Sequence, residues 1–358
     1  MFGPNRFKLG IFCYNVEGGV ALTTVPERWR AGWDDIVAAV QMAERYGLEF
    51  ALPVARWRGY GEENLRGACF ETMTQAAALA GLTRAITLFA TIHVPLVHPL
   101  LAAKCMVTVD HASHGRAALN VVAGWNQEEF DMFGHVQPSH LDRYAQAREW
   151  CTLFNRLIAG GAPFDHAGEH YQGRGMVVSP GARAGRLPTL NAAVSDSGRA
   201  FAAEFSDYIF TFVGTPAQVQ REREAVAAGA ERTGRRTGMM TTCYVVCRPT
   251  RQEAEDYHAH YAGTMADTAL LDRTISSKGQ QIGHYFGDAA TARLRLRYAA
   301  GNGSHPLIGT PEDVAEQLIE LSRMDFAGTT LSFVNFTDEL PYFCESVLPV
   351  LRAAGLRL

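Results

Sequence analysis

Short apolar runs alternate with longer segments of helical periodicity along most of this 358-residue chain. The first run is KLGIFCY at residues 8–14, and an amphipathic segment at 34–47 follows it, with Gly47 as a predicted C-cap. Because each run is apolar throughout instead of alternating with polar residues, it is typical of a strand covered on both faces. Strands and helices in strict alternation predict an α/β fold with a parallel sheet.

The number of repeats favours a closed sheet. Strands are predicted at residues 8–14, 49–54, 85–91, 116–124, 188–194, 207–213, 241–248 and 328–336. Helices are predicted at residues 34–47, 70–82, 141–160, 197–205, 216–230 and 339–354, and from His98-Pro99, Arg251 and Pro311, the last with Thr310 as N-cap. About eight such units predict a (β/α)8 TIM-type barrel in one domain, residues 1–358. An open doubly wound sheet is the alternative, but no GxGxxG motif follows the first strand.

Two stretches interrupt the alternation, at about residues 161–187 and 270–309. Long excursions in a barrel usually lie among the loops of its C-terminal face, so both are predicted to be insertions there. Within the second, Gly301-Asn302-Gly303-Ser304 is either a lid over the site or a plain connector.

Composition excludes several classes of protein. A net charge of −4 lacks the basic excess that nucleic-acid binding needs. No run of apolar residues is long enough to cross a membrane, and no signal peptide is visible, so a cytoplasmic location is expected. The seven cysteines are scattered without a CxxC pair, so neither a zinc site nor any other metal site is predicted.

Polar residues at the carboxyl ends of strands are the site candidates in a barrel. Asn120 is the most informative, because asparagine is a poor strand former and lies here within an apolar run. Once buried, its amide needs partners, and these are either another strand or a bound heteroaromatic ring.

Residues at two further positions suggest a binding site for an anion. Ser195-Asp196-Ser197-Gly198 precedes a helix, where small residues either bind phosphate or simply cap the helix. Arg143 and Tyr144, in the first turn of the long helix at 141–160, offer a cation and a phenol, or else form a solvated helix face.

Histidines and carboxylates give weaker signals. His93 and His98 are either acid–base groups or hydrogen-bonded structural residues. Glu128 and Glu129 are adjacent on a helix and point apart, so at most one is expected to face the site. No GxSxG motif supports a hydrolase.

The segment LNVVAGWNQEEFDMFG, followed by DRY at 142–144, resembles the bacterial luciferase-like flavin monooxygenases. The resemblance is to the branch that holds the pyrimidine, dimethyl sulfone, nitrilotriacetate and dibenzothiophene sulfone monooxygenases. It extends over nearly the whole chain, through NVEGG, EFALPVARWRGYG, ITLFAT, HPLLAAK, SDSGRAFAAEFSDYIFTF, PLIGTPEDVAEQ and YFCESVLPVL.

The resemblance implies a barrel that binds FMN at its C-terminal mouth and uses it in reduced form (FMNH2) together with O2. The residues that match flavin contacts are Ala55, Arg56, Asn120, Glu129, Arg143, Tyr144 and Ser195. The pocket where O2 meets the flavin matches Leu52, Val54, Thr91 and Asn120, and the resemblance implies a flavin peroxide there, at N5 instead of C4a. His93 and Trp125 are the candidate substrate contacts.

The implied enzyme is a two-component monooxygenase that cleaves a C–S or C–N bond in a small molecule. A separate NAD(P)H:flavin reductase is expected as partner, because no NAD(P)H fingerprint is visible, and a homodimer or homotetramer is expected from the family. The relatives that act on alkanesulfonates carry a cysteine after the second strand, and ARWRGYG has none. The alternatives are a coenzyme F420-dependent hydride-transfer enzyme on the same fold, a non-catalytic flavin-binding protein, and a hydrolase or lyase barrel.

Overall fold

A computed structural model of the chain describes residues 1, 3–60, 64–124, 126–192, 195–277 and 292–358. The strands are β1 Lys8–Phe12, β2 Phe50–Leu52, β3 Thr87–His93, β4 Ala117–Val122, β5 Phe164–Ala167, β6 Gln172–Met176, β7 Thr189–Ala192, β8 Tyr208–Phe210, β9 Gly238–Cys247, β10 His305–Gly309 and β11 Phe326–Ser332. The helices are α1 Trp33–Arg45, α2 Thr72–Leu82, α3 Pro99–Ala112, α4 Gln127–Met132, α5 His140–Ala159, α6 Asp196–Phe205, α7 Pro216–Thr233, α8 Arg251–Ala259, α9 Thr268–Ser277, α10 Ala292–Gly301, α11 Pro311–Arg323 and α12 Phe336–Ala353.

Eight parallel strands close into a barrel, in the order β1-β2-β3-β4-β7-β8-β9-β11, with β11 pairing back onto β1. The prediction of a (β/α)8 barrel is therefore confirmed. The strand β10 was not predicted; it lies outside the ring and pairs in parallel with β9. Its sequence, HPLIG, contains a proline, and such a segment taken alone predicts a loop and not a strand.

Both faces of the barrel strands are packed, which explains why the runs are apolar throughout. Along β2, Phe50 and Leu52 belong to a cluster inside the barrel, whereas Ala51 packs into the layer between the barrel and its helices. The rings of Phe50 and Phe89 meet inside the barrel with centroids 5.7 Å apart. This filled interior leaves the mouth, at the carboxyl ends of the strands, as the place for a site.

Helix ends follow the local sequence. Thr310 caps α11 in a capping box with Asp313, as predicted. His98 caps α3, since its Nδ1 accepts from the N–H of Leu100 at 3.2 Å. The C-cap of α1 is Tyr46, and the predicted C-cap Gly47 follows it in the left-handed conformation, at φ +75°.

The stretch 161–187 contains the antiparallel hairpin of β5 and β6, which is fastened to α5 by one carboxylate. Glu149 accepts from His166 Nε2 and from the backbone N–H groups of His170 and Tyr171, each at 2.9 Å. Burial opposes ionisation of Glu149, but these bonds outweigh it and lower its pKa.

Within the stretch 270–309, α10 packs against the loop that follows β1, where the N–H of Leu22 donates to the carbonyl of Ala299 at 2.7 Å. Arg297 donates to the carbonyls of Gly303 and Ser304 and to that of Val213, at 2.9–3.0 Å. Ser304 is buried, and its hydroxyl lies 3.2 Å from that of Thr242. These contacts favour a structural connector over a lid at Gly301–Ser304.

Candidate active site

Three neighbouring strand ends are joined by a row of hydrogen bonds at the mouth of the barrel. Thr91 on β3 lies directly opposite Asn120 on β4. The Thr91 hydroxyl donates to the carbonyl of Pro53, just after β2, at 2.6 Å, and Asn120 Nδ2 donates to Thr91 Oγ1 at 3.2 Å. Asn120 Oδ1 is buried and has no hydrogen-bond partner among the described residues. The amide that the sequence singled out is therefore only half satisfied by the protein.

Two side chains that sequence reasoning missed hold this row in place. Thr72, at the start of α2, donates to the carbonyl of Thr91 at 2.7 Å and accepts from its N–H at 3.2 Å. Asn15 is fully buried, donates to the carbonyl of Val54 at 2.8 Å and accepts from its N–H at 2.9 Å. The available signal for Asn15 was a polar residue directly after the apolar run 8–14, whereas Asn120 lies within its run.

The loop after β2 carries the other predicted residues of this strand end. Leu52 is fully buried in the interior cluster, and Val54 and Ala55 are half-buried. Arg56 donates to the carbonyl of Arg66 at 3.0 Å and lies over the ring of Tyr60. Leu52 and Val54 therefore place apolar surface beside the Pro53 carbonyl that Thr91 binds.

A cysteine also reaches this loop from further along the chain. Cys69 Sγ lies 3.2 Å from Asn15 Nδ2 and 3.4 Å from the carbonyl of Val54. Burial raises the pKa of its thiol to about 11, so the group is a neutral S–H near neutral pH. Cys69 is thus near the end of β2 in space, although ARWRGYG contains no cysteine.

A buried carboxylate and a histidine meet at the end of β3. His93 Nδ1 lies 3.2 Å from Glu129 Oε2, and both side chains are more than nine-tenths buried. Glu129 Oε1 accepts from the N–H of Trp57 at 2.9 Å. Burial alone raises the pKa of Glu129, but His93 and the N–H groups of Trp57 and Arg58 outweigh it and lower that pKa overall.

The two adjacent glutamates of α4 differ in environment. Glu129 is buried against His93, whereas Glu128 is nearly half exposed and lies 3.7 Å from Arg58. Trp125, a candidate substrate contact, lies outside the described residues.

The residues predicted to bind an anion lie close together. Tyr144 forms a side-chain hydrogen bond with Ser195, and Ser195 Oγ accepts from the N–H of Gly198 at 3.1 Å as N-cap of α6. Burial raises the pKa of Tyr144 despite the opposing effects of Ser195 and Arg143, so the phenol stays a neutral donor near neutral pH. Asp196 is fully exposed and pairs with Arg199 at 2.6 Å.

Arg143 adds a cation beside this group. Its guanidinium donates to the carbonyl of Gly124, whose φ is +84°. The Nε of Arg143 is buried and has no hydrogen-bond partner among the described residues. A partner with acceptor oxygens would satisfy it.

These residues present two kinds of binding group at one end of the barrel. Asn120 Oδ1, which has no partner in the described part of the chain, suits an N–H donor of a planar ring. Arg143, Tyr144 and the start of α6 suit an anion. Within the part of the chain that the structure describes, no cluster of three or more metal-ligating side chains occurs. No helix there is long and apolar enough to cross a membrane.

Comparisons with known proteins agree with this architecture. The profile of the luciferase-like monooxygenases matches residues 7–327. The chain is 30% identical to the pyrimidine monooxygenase RutA of Allorhizobium ampelinum, over 98% of each chain. It is 27% identical to an FMNH2-dependent dimethylsulfone monooxygenase of Pseudomonas fluorescens, over 96% of this chain and 94% of that one.

Among solved structures, a riboflavin lyase with modified FMN and its substrate riboflavin superimposes with a TM-score of 0.82, at 23% identity, over 99% of this chain and 93% of that one. At this identity the likeness concerns the fold. The family match extends from the start of β1 into β11, and so includes every strand end that builds the site. The chain belongs to the luciferase-like monooxygenase family, as the segment around Asn120 predicted.

Proposed function

We propose that this protein is the oxygenase component of a two-component, FMN-dependent monooxygenase. A separate NAD(P)H:flavin reductase delivers FMNH2, one atom of O2 enters a small organic substrate, and the other leaves as water. When bound, reduced FMN supplies two electrons and activates O2, in our proposal at N5 of the ring. Relatives named for FMNH2-dependent and pyrimidine monooxygenases support this assignment.

The observation that carries the proposal is the buried Oδ1 of Asn120, which has no hydrogen-bond partner among the described residues. A buried acceptor without a partner is unfavourable by about 1–3 kcal/mol, so such an atom at a barrel mouth indicates a missing ligand. The N–H groups of a flavin ring are donors of the required kind. The Nε of Arg143 also lacks a partner among the residues that the structure describes, and it suits the phosphate at the other end of FMN.

The remaining residues have distinct proposed roles. Tyr144, Ser195 and Arg143 bind the ribityl-phosphate part, with the α6 N-terminus favouring negative charge. Ala55 and Arg56 flank the ring through the loop after β2. Their neighbours Leu52 and Val54 form the apolar wall of the pocket for O2 and exclude water there.

His93 lies on the proposed substrate side of the site, and its buried partner Glu129 also matches a flavin contact. Thr91 and His93 are two residues apart on β3 and therefore share a face of the strand. His93 Nδ1 is engaged by Glu129, which leaves Nε2 for a substrate proton. We propose that the substrate contains a C–S or C–N bond next to an electrophilic carbon, as in a sulfone or a cyclic amide. Trp125 as a second substrate contact, a homo-oligomeric state and a cytoplasmic location stay predictions.

The test is oxygen consumption by the purified protein with FMN and an added flavin reductase, over a panel of sulfones, sulfonates and cyclic amides. We expect substrate-dependent uptake with ¹⁸O from ¹⁸O2 in the product. FMNH2 binding without product from any substrate would favour a non-catalytic flavin protein. Absence of FMNH2 binding, together with F420 binding, would overturn the proposal in favour of hydride transfer.

A further inference from the structure

The hydrogen bonds at the mouth of the barrel have a fixed direction. The carbonyl of Pro53 can only accept, so the Thr91 hydroxyl, at 2.6 Å, must donate its single hydrogen to it. Thr91 Oγ1 is then left as an acceptor, and the Asn120 atom 3.2 Å away must be the NH2 group. The positions of the O and N atoms of the Asn120 amide are therefore fixed by the hydrogen bond from Thr91 to the carbonyl of Pro53.

The opposite orientation of the amide is unfavourable. Rotation by half a turn would place Asn120 Oδ1 against Thr91 Oγ1, which has no hydrogen left to give. Thr72 fixes the backbone of Thr91 by binding its N–H and its carbonyl, and the bond to Pro53 fixes the Thr91 hydroxyl. Thr91 and Asn120 are both buried on adjacent strands, so water does not replace the lost bond. Asn120 Oδ1 is therefore held away from Thr91, as an acceptor for whatever occupies the mouth.

We propose that this Pro53–Thr91–Asn120 relay makes the site selective for the reduced form of the flavin. Reduction converts N5 of the ring from an acceptor into an N–H donor, which pairs with Asn120 Oδ1. The oxidised ring instead presents a lone pair at N5, which an acceptor repels. The inference rests on the proposed function, namely that the mouth binds FMN. It assigns Asn120 as the residue that sets redox selectivity, with Thr91 as the residue that positions it.

The expected size of the effect follows from one hydrogen bond. The difference between a satisfied and an unsatisfied buried polar group corresponds to about tenfold to a hundredfold in binding. We therefore expect the protein to bind FMNH2 at least about tenfold more tightly than FMN. Each tenfold of preference raises the two-electron potential of the bound flavin by about 30 mV.

The test compares the dissociation constants of FMN, in air, and of photoreduced FMNH2, without oxygen, by titration of the purified protein. In Thr91→Val, the amide of Asn120 is free to rotate and can offer its NH2 to oxidised N5. We expect the preference for FMNH2 to fall by about tenfold, mainly through tighter binding of FMN. Thr91→Ser retains the hydroxyl and is the matched control, with a preference close to that of the original protein.

A second variant addresses a possible loss of folding in Thr91→Val. Asn120→Ala leaves the bond from Thr91 to Pro53 intact and removes the acceptor, so FMNH2 binding alone is expected to weaken. An unchanged ratio of the two dissociation constants in both variants would refute the relay while leaving flavin binding established. Equal weakening of both forms would also refute it, since that result assigns Asn120 to the N3–H that both forms carry. Binding of neither form by the original protein would instead refute the proposed function.

Discussion

Removal of His93 is expected to destabilise the fold mainly through Glu129. In His93→Leu, Glu129 Oε2 loses the ring nitrogen 3.2 Å away, in a place where both side chains are more than nine-tenths buried. The carboxylate keeps the N–H groups of Trp57 and Arg58, so it is not left without partners. A hydrogen bond to a charged group contributes about 1.5–3 kcal/mol to stability. In a double-mutant cycle with Glu129→Gln, we expect a coupling free energy of about 2 kcal/mol.

The pH dependence of this contribution has a definite sign. Burial tends to raise the pKa of Glu129, but His93 and two backbone N–H groups lower it below the ordinary value of 4.5 in the folded protein. A group whose folded pKa is depressed contributes stability that is complete above its unfolded pKa and is lost as the pH falls through its folded pKa. The contribution of Glu129 is therefore complete above about pH 4.5 and declines in more acidic solution.

The assay is urea unfolding of the original protein, both single variants and the double variant, at about pH 7 and again at about pH 4. His93→Gln retains a donor of similar reach and serves as the control, with a smaller loss of stability than His93→Leu. At neutral pH, the losses of stability of the two single variants could add up to that of the double variant to within about 0.5 kcal/mol. That result would show that the two side chains do not interact. A loss of stability in Glu129→Gln that is larger at about pH 4 than at about pH 7 would contradict the sign.

Three further outcomes are expected. Asn15→Ala removes the partner of the Val54 N–H and leaves its carbonyl with only the Cys69 thiol, so it should destabilise the protein by about 1–3 kcal/mol in urea unfolding. Thr91→Val and Asn120→Ala at saturating FMNH2 should consume O2 but release hydrogen peroxide in place of product, and unchanged coupling would remove both from the oxygen pocket. Arg143→Ala should weaken FMN binding by about tenfold or more and riboflavin binding much less, since riboflavin lacks the phosphate.

The barrel and part of the site were predictable from the sequence because they depend on local patterns. Apolar runs and helical periodicity identify strands and helices. Thr310 marks one helix start as an N-cap, and the proline of His98-Pro99 marks another. Asn120 stood out because a polar residue within an apolar strand requires a partner. Its neighbour in space, Thr91, was assigned only through the family resemblance.

The missed features depend on contacts between residues far apart in the chain. Thr72 reads locally as an ordinary residue at a helix start, and its role exists only because Thr91 lies beside it, 19 residues away in sequence. Asn15 binds Val54 across 39 residues, and Cys69 reaches the same carbonyl from the far end of the loop. The strand β10 is held by its register with β9, which no local pattern reveals.

The relay and the His93–Glu129 pair each include one residue of β3. They contact different parts of the protein from there. From β3, Thr91 contacts the ends of the neighbouring strands β2 and β4, whereas His93 contacts the short helix α4. All seven side chains of β3 are buried, so the strand is a rigid support for both. A change at His93 should therefore leave the relay in place. We expect His93→Gln to lower product yield while the ratio of the dissociation constants of FMN and FMNH2 stays within about twofold. A shift of that ratio as large as in Thr91→Val would mean that Thr91 and His93 act as one unit, and that the substrate side and the flavin side of the site are not separable.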